Sequence, residues 1–100
     1  MPLQPWSQLV LIVYDVTSDR RRTRLHKLLS RYGVPVQESA FEARLERAEK
    51  TMLLDEIERL INKEEDAVNV YPIPKDVEEK VVELGKPRPK VEFPDFFIME

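Results

Sequence analysis

Six consecutive apolar residues, Leu9 to Tyr14, stop on a carboxylate, Asp15, and within a few residues the chain turns strongly basic at Arg20, Arg21, Arg22 and Arg24. A short apolar run rich in β-branched side chains and bounded by polar residues reads as a strand buried on both faces. Asp15 then stands where a core strand emerges, held firmly yet near solvent. Thr17 or Ser18 can accept a backbone N–H bond and cap a helix, which makes residues 16–18 a strand-to-helix turn.

The charge that follows is at odds with helix stability. Cations in the first turns of a helix meet the positive end of its dipole, at a cost of roughly 0.3–1 kcal/mol each when exposed. Guanidinium groups and free helix N–H groups both suit phosphate oxygens, so arginines placed there suit an anionic partner. A carboxylate on a rigid strand end beside such a surface describes a minimal magnesium-dependent nuclease site, because Mg²⁺ takes few protein carboxylates and leaves positions for phosphate and water. The alternative is that Asp15 is a turn former and the arginine face is only solvated. Asp19 fits either a second carboxylate or, in better accord with its place at a helix start, a cap-region acid.

Length and composition narrow the setting. One hundred residues make one domain, enough to bury roughly 60–65% of the unfolded surface without staples. The absence of cysteine excludes disulfides and thiolate metal sites. No apolar run reaches the roughly 20 residues of a membrane span, and the opening Met1 to Trp6 lacks the pattern of a secretory leader. A cytoplasmic protein without membrane contact is expected. The net charge of −3 hides a segregation: residues 15–34 hold six Lys or Arg against two Asp, whereas residues 35–74 hold five basic against ten acidic groups. Bulk charge does not attract nucleic acid here, but a local basic patch can.

Leu25, Leu28, Leu29 and Tyr32 recur at helical spacing, with Gly33 placed to end that helix. His26, the single histidine, falls off the apolar stripe and reads as solvated surface. Val34 and Val36 are out of phase with Phe41, Ala43 and Leu45, so a bulge or a break into two strands is needed, with Pro35 at an edge. Glu46 to Asn62 is a second helix with Leu53, Leu54, Ile57, Leu60 and Ile61 on one side, and Val68 to Tyr71 alternates as a half-buried strand. Beyond it, Asp76 to Glu79 suits one helical turn and Lys80 to Leu84 a short strand. Lys86 to Lys90 reads as a stiff basic connector and Asp95 to Glu100 as an apolar C-terminal strand.

This order predicts an α+β, ferredoxin-like sandwich: one antiparallel sheet, two helices on it and an extra C-terminal strand, forming a homodimer. Residues 1–85 make the ferredoxin-like domain, and residues 86–100 the connector and a strand expected to pack on the dimer partner, the alternative being docking on its own sheet.

Val13 to Leu25, then Tyr32-Gly33, Gln37 to Glu42, Val70 to Ile73 and Val81 to Gly85, together resemble CRISPR-associated protein two, the small universal subunit of spacer acquisition. The resemblance covers nearly the whole chain. It implies a homodimeric, metal-dependent endonuclease acting on RNA or double-stranded DNA, and a second role as scaffold for a CRISPR integrase subunit. By that resemblance Asp15 faces its twin and the pair binds one divalent metal, Mg²⁺ or another; Arg22 and Arg24 are linked to activity, and Phe41 supports by packing. A non-catalytic DNA-binding adaptor is the alternative function. The chain departs from many family members at Glu38, where Tyr is common, and near Pro35, where some carry a basic residue.

Overall fold

The structure, a computed structural model, describes residues 7–86. The elements run β1 Gln8–Asp15, α1 Asp19–Ser30, β2 Gly33–Gln37, β3 Ala40–Leu45, α2 Arg47–Leu60, β4 Ala67–Ile73 and α3 Lys75–Glu78. The four strands form one sheet in the order β2-β3-β1-β4, and every neighbouring pair is antiparallel. This is the ferredoxin-like arrangement expected, with the Leu9–Tyr14 run at its centre.

Both long helices lie on one face of the sheet. Leu25, Leu28 and Leu29 of α1 and Leu53 and Ile57 of α2 meet Val10, Ile12, Tyr14, Phe41, Ala43 and Leu45 in a single core. Phe41, Ile12, Leu25 and Leu29 are essentially inaccessible, and each contributes about 1.5–3 kcal/mol by leaving water.

From Leu11 on, β1 is covered on that face alone, whereas Leu9 at its start is buried on the other. From Leu11 its burial alternates, and Val13 is 38% exposed on the open face beside Asp15. The continuous apolar run therefore does not mark a strand buried on both sides within one chain. Two helices suffice to cover only one face, and Leu11, Val13 and the facing Tyr71 of β4 form an apolar strip on the other. Polar Glu42 of β3 and Asn69 of β4 flank that strip.

The local signals mostly hold. Ser18, not Thr17, caps α1, its Oγ accepting from the Arg21 N–H at 3.2 Å. The phase change after Val36 is resolved by a two-residue turn at Glu38-Ser39 and by a bulge that makes Val36 the extra residue between Pro35 and Gln37. Pro35 sits on edge strand β2, where its missing N–H costs no central ladder bond. The Glu49 carboxylate accepts the Glu46 N–H at 2.8 Å and closes the start of α2.

Two further expectations change. Gly33 has no positive φ and does not act as a helix cap; it opens β2, where an added Cβ would come within 2.0 Å of the Glu42 carbonyl oxygen and 2.8 Å of the Ala43 Cβ. Close approach of β2 and β3 is what requires glycine there. Residues 80–84 form no strand: Val82 and Leu84 are 77% and 88% exposed, with no neighbouring strand among the described residues to complete a ladder. The C-terminal strand expected over 95–100, and the connector from residue 87, lie outside the described residues. No helix among the described residues is long and apolar enough to cross a membrane.

Candidate metal and nucleic-acid site

Asp15 is the last residue of β1, opposite Ala67 of β4, and its side chain is exposed on the open face of the sheet. It makes no ion pair or hydrogen bond with any other described side chain. Backbone hydrogen bonding on both sides of the central strand fixes its position, so a free carboxylate is presented from a rigid base. Among the described residues no three His, Cys, Asp or Glu side chains gather to hold a metal ion. Among the described residues of one chain Asp15 is a single carboxylate there, the hard oxygen donor that Mg²⁺ prefers, and too few ligands for a closed cage.

The four arginines divide into two kinds. Arg20 and Arg24 are exposed on α1 and form no ion pair with a described residue. Arg21 turns inward: its Nε donates to Asp66 Oδ2 at 2.7 Å, and its second terminal nitrogen donates to Asp66 Oδ1 and to Glu65, each at 3.1 Å. Asp66 is completed by the N–H groups of Asn62 at 2.8 Å and Thr17 at 3.1 Å, and its side chain is fully covered. The Arg21 hydrogen bond is the main cause holding the Asp66 carboxyl far below the usual carboxylate range, and the same bond raises the guanidinium. Arg21 is thus a clamp between α1 and the turn before β4. Arg22 donates to the Val16 carbonyl at 2.6 Å and pairs with Asp19, which places Asp19 as a first-turn acid serving its own helix.

Phe41 is fully buried below these groups. Its ring lies 6.4 Å from Tyr14 and meets the His26 ring edge-on at 5.1 Å and 74°. His26 is solvent-exposed as expected, but it also closes the core above Phe41. It borders a cleft of about 420 Å³ with Arg22, Lys27 and Ser39, above the Tyr14 hydroxyl. Burial raises that hydroxyl, and the nearby Arg22 charge offsets part of the effect. Asp15 points to the open side of the sheet and His26 lies on the helical side, so the imidazole does not serve the carboxylate.

The structure therefore brings Arg22, Phe41 and His26 together, leaves Arg20 and Arg24 free on α1, and diverts Arg21 to a structural role. Sequence reasoning did not find Asp66, because a partner 45 residues away leaves no periodic trace; its one signal was the dense acid run Glu64-Glu65-Asp66.

The sequence profile of the family described as CRISPR associated protein Cas2 matches residues 8–81. The CRISPR-associated endoribonuclease Cas2 of Thermus thermophilus is 43% identical over 88 residues, covering 87% of this chain and 94% of that relative. A crystal structure of a hypothetical Thermus thermophilus protein superposes with a TM-score of 0.72 at 32% identity, over 83% of this chain and 95% of that one. A chain of a solved partial Cas6-RT-Cas1–Cas2 complex superposes with a TM-score of 0.66 at 28% identity, over 77% of this chain and 84% of that one. By the profile match over residues 8–81 and 43% identity to that relative, in agreement with the β2-β3-β1-β4 sheet, the chain belongs to the CRISPR associated protein Cas2 family.

Proposed function

We propose that the protein acts in CRISPR adaptation as a homodimeric endoribonuclease, hydrolysing RNA phosphodiester bonds at a divalent-metal centre built from two copies of Asp15. One observation carries this reading: the unpaired Asp15 carboxylate stands on the end of the central strand, on a sheet face whose apolar strip is left uncovered by its own helices. A second copy laid on that face removes Leu11, Val13 and Tyr71 from water and brings two carboxylates toward one axis. The endoribonuclease name of the 43%-identical relative supports the activity. The likeness to a chain of an assembly containing Cas1 supports a CRISPR integrase subunit as partner.

The residues fit Mg²⁺ or a similar hard cation. Asp15 and its twin would hold it, and two carboxylates leave room for phosphate oxygen and water. When bound, the cation supplies Lewis-acid polarisation of the phosphate and lowers the pKa of attacking water. The chain's own part is to fix the carboxylates through the β1 ladder and to draw RNA phosphates with the free guanidinium groups of Arg20 and Arg24. Arg22, tied to the Val16 carbonyl, braces the turn that follows Asp15. No side-chain base faces Asp15 among the described residues, which suits slow turnover. A cytoplasmic location goes with this role.

The test is cleavage of labelled RNA and of duplex DNA with Mg²⁺ by the parent and by Asp15→Ala. Loss of RNA cleavage on substitution, with folding intact, supports the centre; equal cleavage by both proteins overturns it.

A further inference from the structure

Asp15 stands where the sheet runs out. On the β3 side the register of β1 ends at Val13 opposite Ala40, with one further bond from the Tyr14 N–H to the Ser39 carbonyl at 3.0 Å. On the β4 side it continues to Asp15 opposite Ala67, the last residue of one strand against the first of the other. The ends of a ladder fray unless something beyond them joins the two chains. Asp66, the residue before Ala67, makes that join. Its Oδ1 accepts the Thr17 N–H at 3.1 Å, two residues beyond Asp15, and its Oδ2 accepts the Asn62 N–H at 2.8 Å and the Arg21 Nε–H at 2.7 Å. The Asp66 side chain is wholly covered. The Glu65 side chain beside it is 58% exposed, and its carboxylate meets the side chains of Arg21 and Thr17 rather than the strand-end backbone.

We propose that Asp66 is a positioning residue for Asp15: by tying residue 17 to the start of β4 it closes the open end of the β1–β4 ladder and holds the Asp15 carboxylate in place for the two-copy metal centre. The inference rests on that proposed centre. The position calls for a carboxylate rather than an amide. Thr17 N–H and Arg21 Nη2 donate to Oδ1, while Asn62 N–H and Arg21 Nε donate to Oδ2. The NH₂ group of an asparagine would therefore face two donors whichever way it turned. Arg21 pairs with the covered charge from α1, as a charge out of water requires. One side chain thus joins α1, the turn after Asp15, the turn before β4 and the strand pair that carries Asp15. In a centre shared by two copies, any displacement of Asp15 is made twice, and a misplacement of about 1 Å costs about 10²-fold in rate.

The probe is Mn²⁺ alone, titrated by electron paramagnetic resonance into the parent, Asp15→Ala, Asp66→Asn, Arg21→Met and Glu65→Gln, at a temperature where thermal unfolding shows each to be folded. Asp66→Asn and Arg21→Met are both expected to bind Mn²⁺ about tenfold more weakly than the parent, the usual effect of losing a group that orients a metal ligand. The two variants change the net charge in opposite senses, so a loss common to both is not an effect of the overall field. Glu65→Gln removes the same charge as Asp66→Asn one residue away and is expected to bind like the parent. Amide hydrogen exchange reads the strand end without metal: residues 15–17 are expected to exchange at least about tenfold faster in Asp66→Asn, with Ile12 in mid-strand unchanged. Unchanged exchange and Mn²⁺ affinity in Asp66→Asn overturn the inference, as does a loss of affinity that Glu65→Gln reproduces or a gain in Arg21→Met. Should Asp66→Asn not fold, Arg21→Met carries the same comparison. A parent that binds Mn²⁺ no better than Asp15→Ala sinks the proposed metal centre, and the exchange comparison then decides by itself whether Asp66 holds the strand end.

Discussion

Phe41 offers the sharpest separation of packing from chemistry in this fold. Its side chain is wholly inaccessible on β3, opposite Ile12 of β1 and Pro35 of β2, with its ring between Tyr14 and His26. Phe41→Ala leaves a cavity under α1 and is expected to cost about 3–5 kcal/mol, of which the two aromatic contacts supply about 0.5–1.5 kcal/mol each. A domain of this size has about 5–15 kcal/mol in all, so the alanine variant is expected to lose a large part of its stability. At about 4–8 °C per kcal/mol, the midpoint of thermal unfolding should fall by about 12–40 °C. Phe41→Leu keeps most of the volume and is expected to cost about 1–2 kcal/mol. Urea unfolding of the three proteins, fitted with a common m-value, measures these differences. RNA cleavage is then compared at a temperature where parent and leucine variant are both folded, and the two should cleave alike. A leucine variant that is folded yet inactive would refute the packing role and make the ring part of the site. An alanine variant that loses less than about 1 kcal/mol would show that the core is not centred on Phe41.

Acid should find the Arg21–Asp66 clamp. The folded carboxyl lies below its unfolded value, so its contribution to stability is complete above about pH 4 and is lost as the pH falls through the acid range. Asp66→Asn is expected to lower the urea midpoint at neutral pH and to flatten the acid loss of stability, and an undiminished acid loss in the variant would contradict the assignment. If the proposed homodimer forms through the open face, Val13→Lys should leave the chain folded but monomeric in light scattering and abolish RNA cleavage; a dimeric, active variant would place the interface elsewhere.

Much of the fold was written in local pattern. The helix of Leu25, Leu28 and Leu29, the alternation of Val68 to Tyr71, a hydroxyl cap at Thr17 or Ser18 and the edge position of Pro35 all follow from periodicity and from what a proline or a hydroxyl can do at one site. The strand ending on Asp15 was equally legible, because an apolar run stopped by an acid has few other uses. Its two-sided burial was misjudged for a specific reason: apolar residues on both faces state only that both must be covered, not that the same chain covers them.

What local pattern could not state were relations between distant residues. Arg20, Arg21, Arg22 and Arg24 look alike in sequence, yet Arg21 is consumed by Asp66, Arg22 by the Val16 carbonyl and Asp19, while Arg20 and Arg24 have no ion-pair partner among the described residues. Gly33 looked like a helix terminator until the β2–β3 approach showed a Cβ colliding with the Glu42 carbonyl. By itself the sequence determined the four strands and two long helices of the sheet domain and where the strand-end carboxylate Asp15 lies, though not the absence of a strand at residues 80–84, because spacing along one element is a short-range property. Only the tertiary structure decided which charges are spent on the fold and which are left for a partner, because Coulomb and hydrogen-bond energies depend on distances that the chain acquires when it closes on itself.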